Sequence, residues 1–134
     1  MLQAMNTGHD GSLTTIHANS ERDCLSRLET LVLMAGLDLP SRAIREQVSS
    51  AIDFIVHESR FSDGTRKIEG VSEVTGMEGD VITLQPIYEF KHSGFGESGK
   101  VLGTFRPTGA IPKFIHELRA RSIPVDMGLF RERK

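Results

Sequence analysis

Two histidines in one short segment are the residues of this sequence best suited to chemistry. His9 and His17 lie in the run Thr7–Ser20, and Gly8 and Gly11 flank the first of them. Glycine lets a backbone approach a ligand closely, and an imidazole near a strand end can donate a hydrogen bond to a phosphate. The segment therefore suits the phosphates of a nucleotide. The same composition also fits a turn residue at His9 and a packed core histidine at His17.

Zinc is the alternative ligand for these histidines. His9, Asp10 and His17 could supply nitrogen and oxygen atoms to a metal, but their spacing matches no zinc motif. The other three histidines fall in separate predicted elements: His57, His92 and His116. For each of these three, a surface or packing role is the expectation, and we predict no metal site.

The sequence around the two histidines resembles the histidine box of the type II/type IV secretion ATPases. The run MLQAMNTGHDGSLTTIHANS, continued by RLETLVLMAG, carries the likeness, and it is similar in particular to the CpaF branch that serves tight-adherence (Tad) pili. The segments AIDFIVHESRFSDGTRKIEGVSEVTGMEGD and FRPTG match the same branch. The resemblance thus covers nearly the whole chain.

This resemblance implies roles for particular residues. The histidine box of these ATPases lies in a RecA-like domain beside the γ-phosphate and couples the nucleotide state to domain movement. By resemblance, His9 and His17 are the catalytic pair that senses and stabilises phosphate, while Thr7, Gly8 and Asn19 shape the nucleotide site. The implied cofactors are ATP and Mg²⁺, held by the full-length protein.

A glycine-rich run further along matches a phosphate loop only in part. The residues Gly94 to Lys100 are followed by Val101, whereas the GxxxxGK motif requires a Ser or Thr next, to hold magnesium, and then a helix. A strand pattern follows instead, so we predict a hairpin connection here. The Walker A loop and the Walker B glutamate are expected upstream of Met1. We therefore expect the chain to be inactive in ATP hydrolysis on its own.

The parent implied by the resemblance is a cytoplasmic hexameric ATPase, peripheral to the inner membrane. It would drive pilin assembly or protein export through an inner-membrane platform protein. A non-hydrolysing interaction module that docks on such a ring or platform is the alternative function.

Composition agrees with this assignment. The 134 residues carry a net charge of −2, which gives no basic surface for a nucleic-acid partner. The longest apolar stretch, within residues 31–37, is shorter than the roughly 20 residues that span a bilayer, so no membrane insertion is expected. Cys24 is the only cysteine, which permits no intrachain disulfide and fits a reducing compartment.

Helices are predicted on either side of Gly36. Ser20 and Asp23 resemble a capping box, and Gly36 suits a left-handed C-terminal cap, so a helix is predicted over 20–35. Pro40 and the following serine open a second helical pattern. Before both, the β-branched run from Leu13 to His17 predicts a strand that could be buried on both faces.

Strand patterns dominate the sequence after residue 52. Asp63-Gly64 is a hairpin signal between two strand patterns, and Pro86 separates two further short ones and favours a sheet edge. Pro112 can open a last helix that Pro124 stops. The predicted fold class is α/β. It comprises the C-terminal portion of a RecA-like P-loop ATPase domain at 1–51, then a small antiparallel β-region and a C-terminal helix at 52–134.

Overall fold

The computed structural model describes residues 11–36 and 38–131. Helices precede and follow a run of four strands. In chain order the elements are α1 (Glu21–Met34), α2 (Ser41–Ala51), β1 (Phe54–Arg60), β2 (Arg66–Glu78), β3 (Val81–Phe95), β4 (Val101–Pro107), α3 (Phe114–Ala120) and a 3-10 helix (Met127–Phe130). The predicted α/β class is confirmed at this level, as an antiparallel sheet accompanied by helices.

The four strands form one sheet in the order β1-β2-β3-β4, which is the predicted meander. β3 and β4 are antiparallel, with a register that runs from Tyr88 opposite Pro107 to Phe95 opposite Val101. β3 is continuous through Pro86, where two short strands were predicted. Proline has no backbone N–H to donate to a neighbouring strand. Pro86 lies outside the part of β3 that pairs with β4, so no hydrogen bond to β4 is lost there.

The chain divides into two compact units. The first comprises Met1–Ile55 and Val74–Leu84, and the second comprises Val56–Glu73 and Gln85–Lys134. The predicted boundary between residues 51 and 52 concerns the domains of a parent protein and stays a prediction.

The core of the first unit joins the two long helices to strand residues. Its buried members are Cys24, Leu25, Ile44, Val48, Ile55, Val74 and Ile82. Ile44 and Val48 are fully inaccessible and stand one helical turn apart on α2. This spacing explains why α2 buries a single face.

Local capping fixes both ends of α1, as predicted. The Ser20 hydroxyl accepts a hydrogen bond from the Asp23 backbone N–H at 3.0 Å, and the Asp23 carboxylate accepts one from the Asn19 N–H at 2.9 Å. At the other end Gly36 adopts φ +82° and donates its N–H to the Leu33 carbonyl. A left-handed residue at this position closes the helix.

Arginines of the helices hold the hairpin between β2 and β3 within the same unit. Arg45 donates to the Glu29 carboxylate at 3.1 Å and to the Asp80 carbonyl at 3.0 Å. Arg22 donates to the carbonyl of Ile82. These side chains satisfy backbone carbonyls at the hairpin that would otherwise depend on water.

In the second unit, a buried carboxylate holds the start of α3. Glu73 is 6% exposed, and both its oxygens accept the Lys113 backbone N–H, at 2.9 and 3.0 Å. A negative charge at this end of a helix also complements the helix dipole. Ile115, one residue into the helix, is 1% exposed. Glu73 therefore caps α3 from the sheet.

α3 ends at a serine that adopts the left-handed backbone conformation. Ser122 adopts φ 58° and donates its N–H to the Arg119 carbonyl, while the Ile123 N–H reaches the Leu118 carbonyl at 2.9 Å. These two bonds form a Schellman motif with serine at the position that glycine usually takes.

The predicted strand from Leu13 to His17 is wrong. Residues 11–18 have no regular secondary structure, and the Leu13 side chain is fully exposed. A strand needs another strand beside it to pair with, and the strands in the described part of the chain pair only with one another.

Among the described residues, no helix combines the length and the apolar character that a bilayer span requires.

Candidate functional site

The residues predicted to form a nucleotide site lie in the N-terminal segment. Thr7, Gly8 and His9 lie outside the described residues. His17 and Asn19 are described, and both are exposed in the irregular segment that leads into α1. His17 is therefore not a buried core histidine, and its imidazole is accessible to a ligand.

The start of α1 fixes the backbone beside His17. The Asn19 N–H donates to Asp23, whose carboxylate also accepts from the Arg27 side chain at 3.2 Å. The Asn19 bond is the main cause that lowers the pKa of Asp23; partial burial opposes it, and Arg27 adds to it. Asp23 thus remains ionised at neutral pH and anchors Asn19, two residues from the imidazole.

Cys24 is not an activated nucleophile. It is 8% exposed, and burial, reinforced by the carboxylates of Asp23 and Glu21, raises the pKa of its thiol. Its place in the first turn of α1 does not lower this pKa, because desolvation and two nearby negative charges outweigh the helix end. Cys24 packs in the core instead.

The run from Gly94 to Lys100 forms the connection between β3 and β4. The Gly96 N–H donates to the Lys100 carbonyl at 2.7 Å, and the Gly99 N–H donates to the Gly96 carbonyl at 3.1 Å. A strand follows directly, where a phosphate loop would lead into a helix. The predicted hairpin is confirmed.

The three remaining histidines lie in separate elements. His57 on β1 contacts the Glu69 carboxylate at 3.4 Å, His92 on β3 packs edge-on against Phe95, and His116 lies on α3. Within residues 11–36 and 38–131, no group of three or more histidine, cysteine or acidic side chains could hold a metal ion.

A cleft in the second unit is a candidate site that sequence reasoning missed. It has a volume of about 660 Å³ and is lined by residues between Thr108 and Arg131. Two of its lining side chains, Arg119 on α3 and Arg131 directly after the 3-10 helix, are twelve residues apart. No local sequence pattern signals such a convergence.

Comparison with known proteins concerns the N-terminal half above all. Residues 1–66 match the family model "Type II/IV secretion system protein". This range includes the whole segment with His9 and His17. The resemblance to secretion-system proteins is therefore supported over these residues, and the narrower likeness to the CpaF branch stays a prediction.

The chain is also similar to proteins named for conjugal transfer. The chain is 40% identical over 79 residues to conjugal transfer protein TrbB of Rhizobium radiobacter, covering 59% of this chain and 22% of that protein. It is 33% identical over 81 residues to a putative conjugal transfer protein of Mycobacterium tuberculosis, covering 60% and 22%. A probable conjugal transfer protein TrbB of Sinorhizobium fredii is 36% identical over 66 residues, covering 49% and 19%. The chain spans about a fifth of the length of these relatives.

Proposed function

We propose that this chain is part of a secretion ATPase of the type II/IV family and that it supplies the histidine box. The match of residues 1–66 to the family model carries the proposal. The parent domain is RecA-like, binds ATP with Mg²⁺ through a phosphate loop on another segment, and assembles as a hexamer in the cytoplasm beside the inner membrane. Hydrolysis drives pilin assembly or protein export through a platform protein.

The described geometry supports a sensing role for His17. An exposed imidazole can donate to a phosphate carried by another segment, whereas a buried one could not. The capped start of α1 holds the backbone at Asn19, two residues beyond the histidine, in place. Phosphoryl transfer depends mainly on positioning and on stabilisation of the transferred charge, which is work that such a residue can do.

Exposed apolar side chains of the first unit support the idea that this chain belongs to a larger domain. Leu13 is fully exposed, Leu31 is 52% exposed and Met34 is 77% exposed. In a RecA-like domain these side chains would be covered by the rest of the core. The narrower choice of the CpaF branch is supported by the likeness of the segments 51–80 and 105–109. The relatives, by contrast, are named for conjugal transfer.

ATP hydrolysis by two polypeptides tests the proposal. One is this chain, and the other is the same chain extended upstream through an in-frame phosphate loop. We expect turnover only from the extended polypeptide, and we expect His17→Ala to lower its kcat by at least tenfold. His116→Ala, which removes another exposed histidine, serves as the matched control and should leave kcat unchanged.

Two results would oppose the proposal. If the extended polypeptide hydrolyses ATP and tolerates His17→Ala, the histidine has no role in the reaction. If the extended polypeptide hydrolyses no ATP, a non-hydrolysing docking module becomes the better description of the chain.

A further inference from the structure

The cleft in the second unit combines an apolar wall with two cationic groups. Ile111, Met127 and Phe130 supply the apolar lining, and Arg119 and Arg131 supply the guanidinium groups. Its volume of about 660 Å³ lies within the range of ligand-binding pockets, roughly 300–1,000 Å³. A ligand that fits would carry an anionic group next to an apolar one.

Both guanidinium groups lack a partner within the described chain. Of the ten arginines in residues 11–36 and 38–131, seven have side chains that contact a carboxylate or a backbone carbonyl. The remaining three are Arg60, Arg119 and Arg131. Two of these three line the same cleft, and none of its described lining residues is acidic. Its positive charge is therefore not neutralised by any described residue.

Hydrogen bonds to the sheet and within the 3-10 turn hold the walls of the cleft in place. The Tyr88 hydroxyl on β3 donates to the Leu129 carbonyl in the 3-10 helix. The Thr108 hydroxyl donates to the Pro86 carbonyl at 2.7 Å, and the Asp126 carboxylate accepts from the Gly128 N–H at 2.9 Å. Phe130 is only 9% exposed. A cleft with anchored walls loses little entropy on binding.

The cleft begins where an edge strand ends. β4 pairs with β3 alone among the described strands, and Thr108 and Gly109 of the cleft directly follow its last residue, Pro107. Residues 102–105 of β4 are all exposed. An exposed edge offers backbone N–H and C=O groups to an added strand, and an adjoining pocket can select a side chain of that strand.

We propose that this edge and cleft bind an extended acidic peptide segment of a partner protein. The peptide backbone adds a strand beside β4. An aromatic or aliphatic side chain enters the apolar part of the cleft, and a neighbouring carboxylate pairs with Arg119 and Arg131. Backbone pairing favours a peptide over a lipid, because a lipid headgroup would use the arginines without using the strand edge.

Fluorescence anisotropy with the full chain tests this site. The probe is an end-blocked, fluorescein-labelled hexapeptide, Thr-Val-Thr-Phe-Asp-Glu. We expect saturable binding that weakens about fivefold to tenfold in Arg119→Gln and in Arg131→Gln, since each change removes one charge-assisted hydrogen bond. Arg60→Gln removes the third guanidinium that has no partner among the described residues. Arg60 is not one of the residues that line the cleft, so this change should leave the affinity unchanged.

Changes in the probe separate the edge from the cleft without altering the protein. Replacing Phe by Ala, or Asp and Glu by Asn and Gln, should each weaken binding at least fivefold. Two probes methylated at the backbone N of alternate residues, one at the odd and one at the even positions, test the pairing. Only every second N–H of a strand faces its neighbour, so one probe should lose binding and the other should keep it. Equal binding of the two methylated probes would overturn the pairing with β4.

Three further outcomes would overturn the proposal as a whole. One is the absence of saturable binding by the probe. Another is equal loss of affinity in Arg60→Gln and Arg119→Gln, which would mean non-specific attraction. The third is displacement of the probe by phosphatidylglycerol vesicles or by inorganic phosphate at matched ionic strength, which would assign the cleft to a phosphate group of a lipid or in solution.

Discussion

Removal of the Glu73 side chain should destabilise the protein by about 2 kcal/mol. The buried carboxylate accepts the Lys113 N–H with both oxygens, which counts as one shared charge-assisted bond of about 1.5–3 kcal/mol. Its charge also complements the start of α3, worth about 0.3–1 kcal/mol. The variant does not have to bury a carboxylate, and the free-energy cost that it avoids offsets part of this loss. The balance gives about 2 kcal/mol for Glu73→Ala.

Urea unfolding followed by circular dichroism measures this loss. Glu73→Gln keeps an acceptor oxygen but loses the charge, so we expect it to lose about half as much stability as Glu73→Ala. Glu78→Ala is the matched control, because Glu78 is exposed on the same strand, and its change should stay within about 0.5 kcal/mol. Amide hydrogen exchange should also show faster exchange in α3 of Glu73→Ala. Equal stability of Glu73→Ala and Glu78→Ala would refute the capping role.

Three further changes test other parts of the fold. Ser122→Gly should raise the free energy of unfolding by about 0.5–1 kcal/mol, because glycine adopts the left-handed conformation at φ 58° without strain; no gain in urea midpoint would contradict this. The Thr65 hydroxyl, with backbone donors, lowers the pKa of Asp63 to about 2, so this stabilisation is complete above about pH 4 and is lost as the pH falls toward 2. Melts between pH 2 and 5 should therefore show a smaller loss of stability in Asp63→Asn than in the parent chain. Ile44→Ala should cost about 3 kcal/mol, whereas Leu31→Ala, at a half-exposed position, should cost under about 1 kcal/mol in the same urea assay.

Elements whose signals are local could be predicted from the sequence. Ser20, Asp23 and Gly36 mark both ends of α1 because each acts on the backbone within a few residues. The Asp63-Gly64 turn lies between β1 and β2 for the same reason, since Asp63 accepts from the N–H two residues ahead. Helix ends and tight turns are short-range events, so a short window of sequence contains their causes.

Features that depend on distant partners could not be predicted. The run from Leu13 to His17 has the composition of a strand, but a strand exists only where another strand pairs with it. Pro86 separated two predicted strands, yet β3 passes through it because β4 pairs only from Tyr88 onward. From the sequence alone, a glutamate such as Glu73 would be expected on the exposed face of a strand. Its burial follows from the position of Lys113, forty residues later.

The candidate nucleotide site and the cleft rest on different residues and can fail separately. The match to secretion-system proteins covers residues 1–66, whereas the residues that line the cleft begin at Thr108. His17→Ala should therefore lower hydrolysis by the extended polypeptide without changing peptide affinity. Arg119→Gln should weaken peptide binding, and any effect on hydrolysis should depend on the presence of the peptide. If Arg119→Gln lowered kcat in the absence of peptide, the guanidinium would serve the nucleotide reaction, and the assignment of the cleft to an acidic peptide would have to be withdrawn.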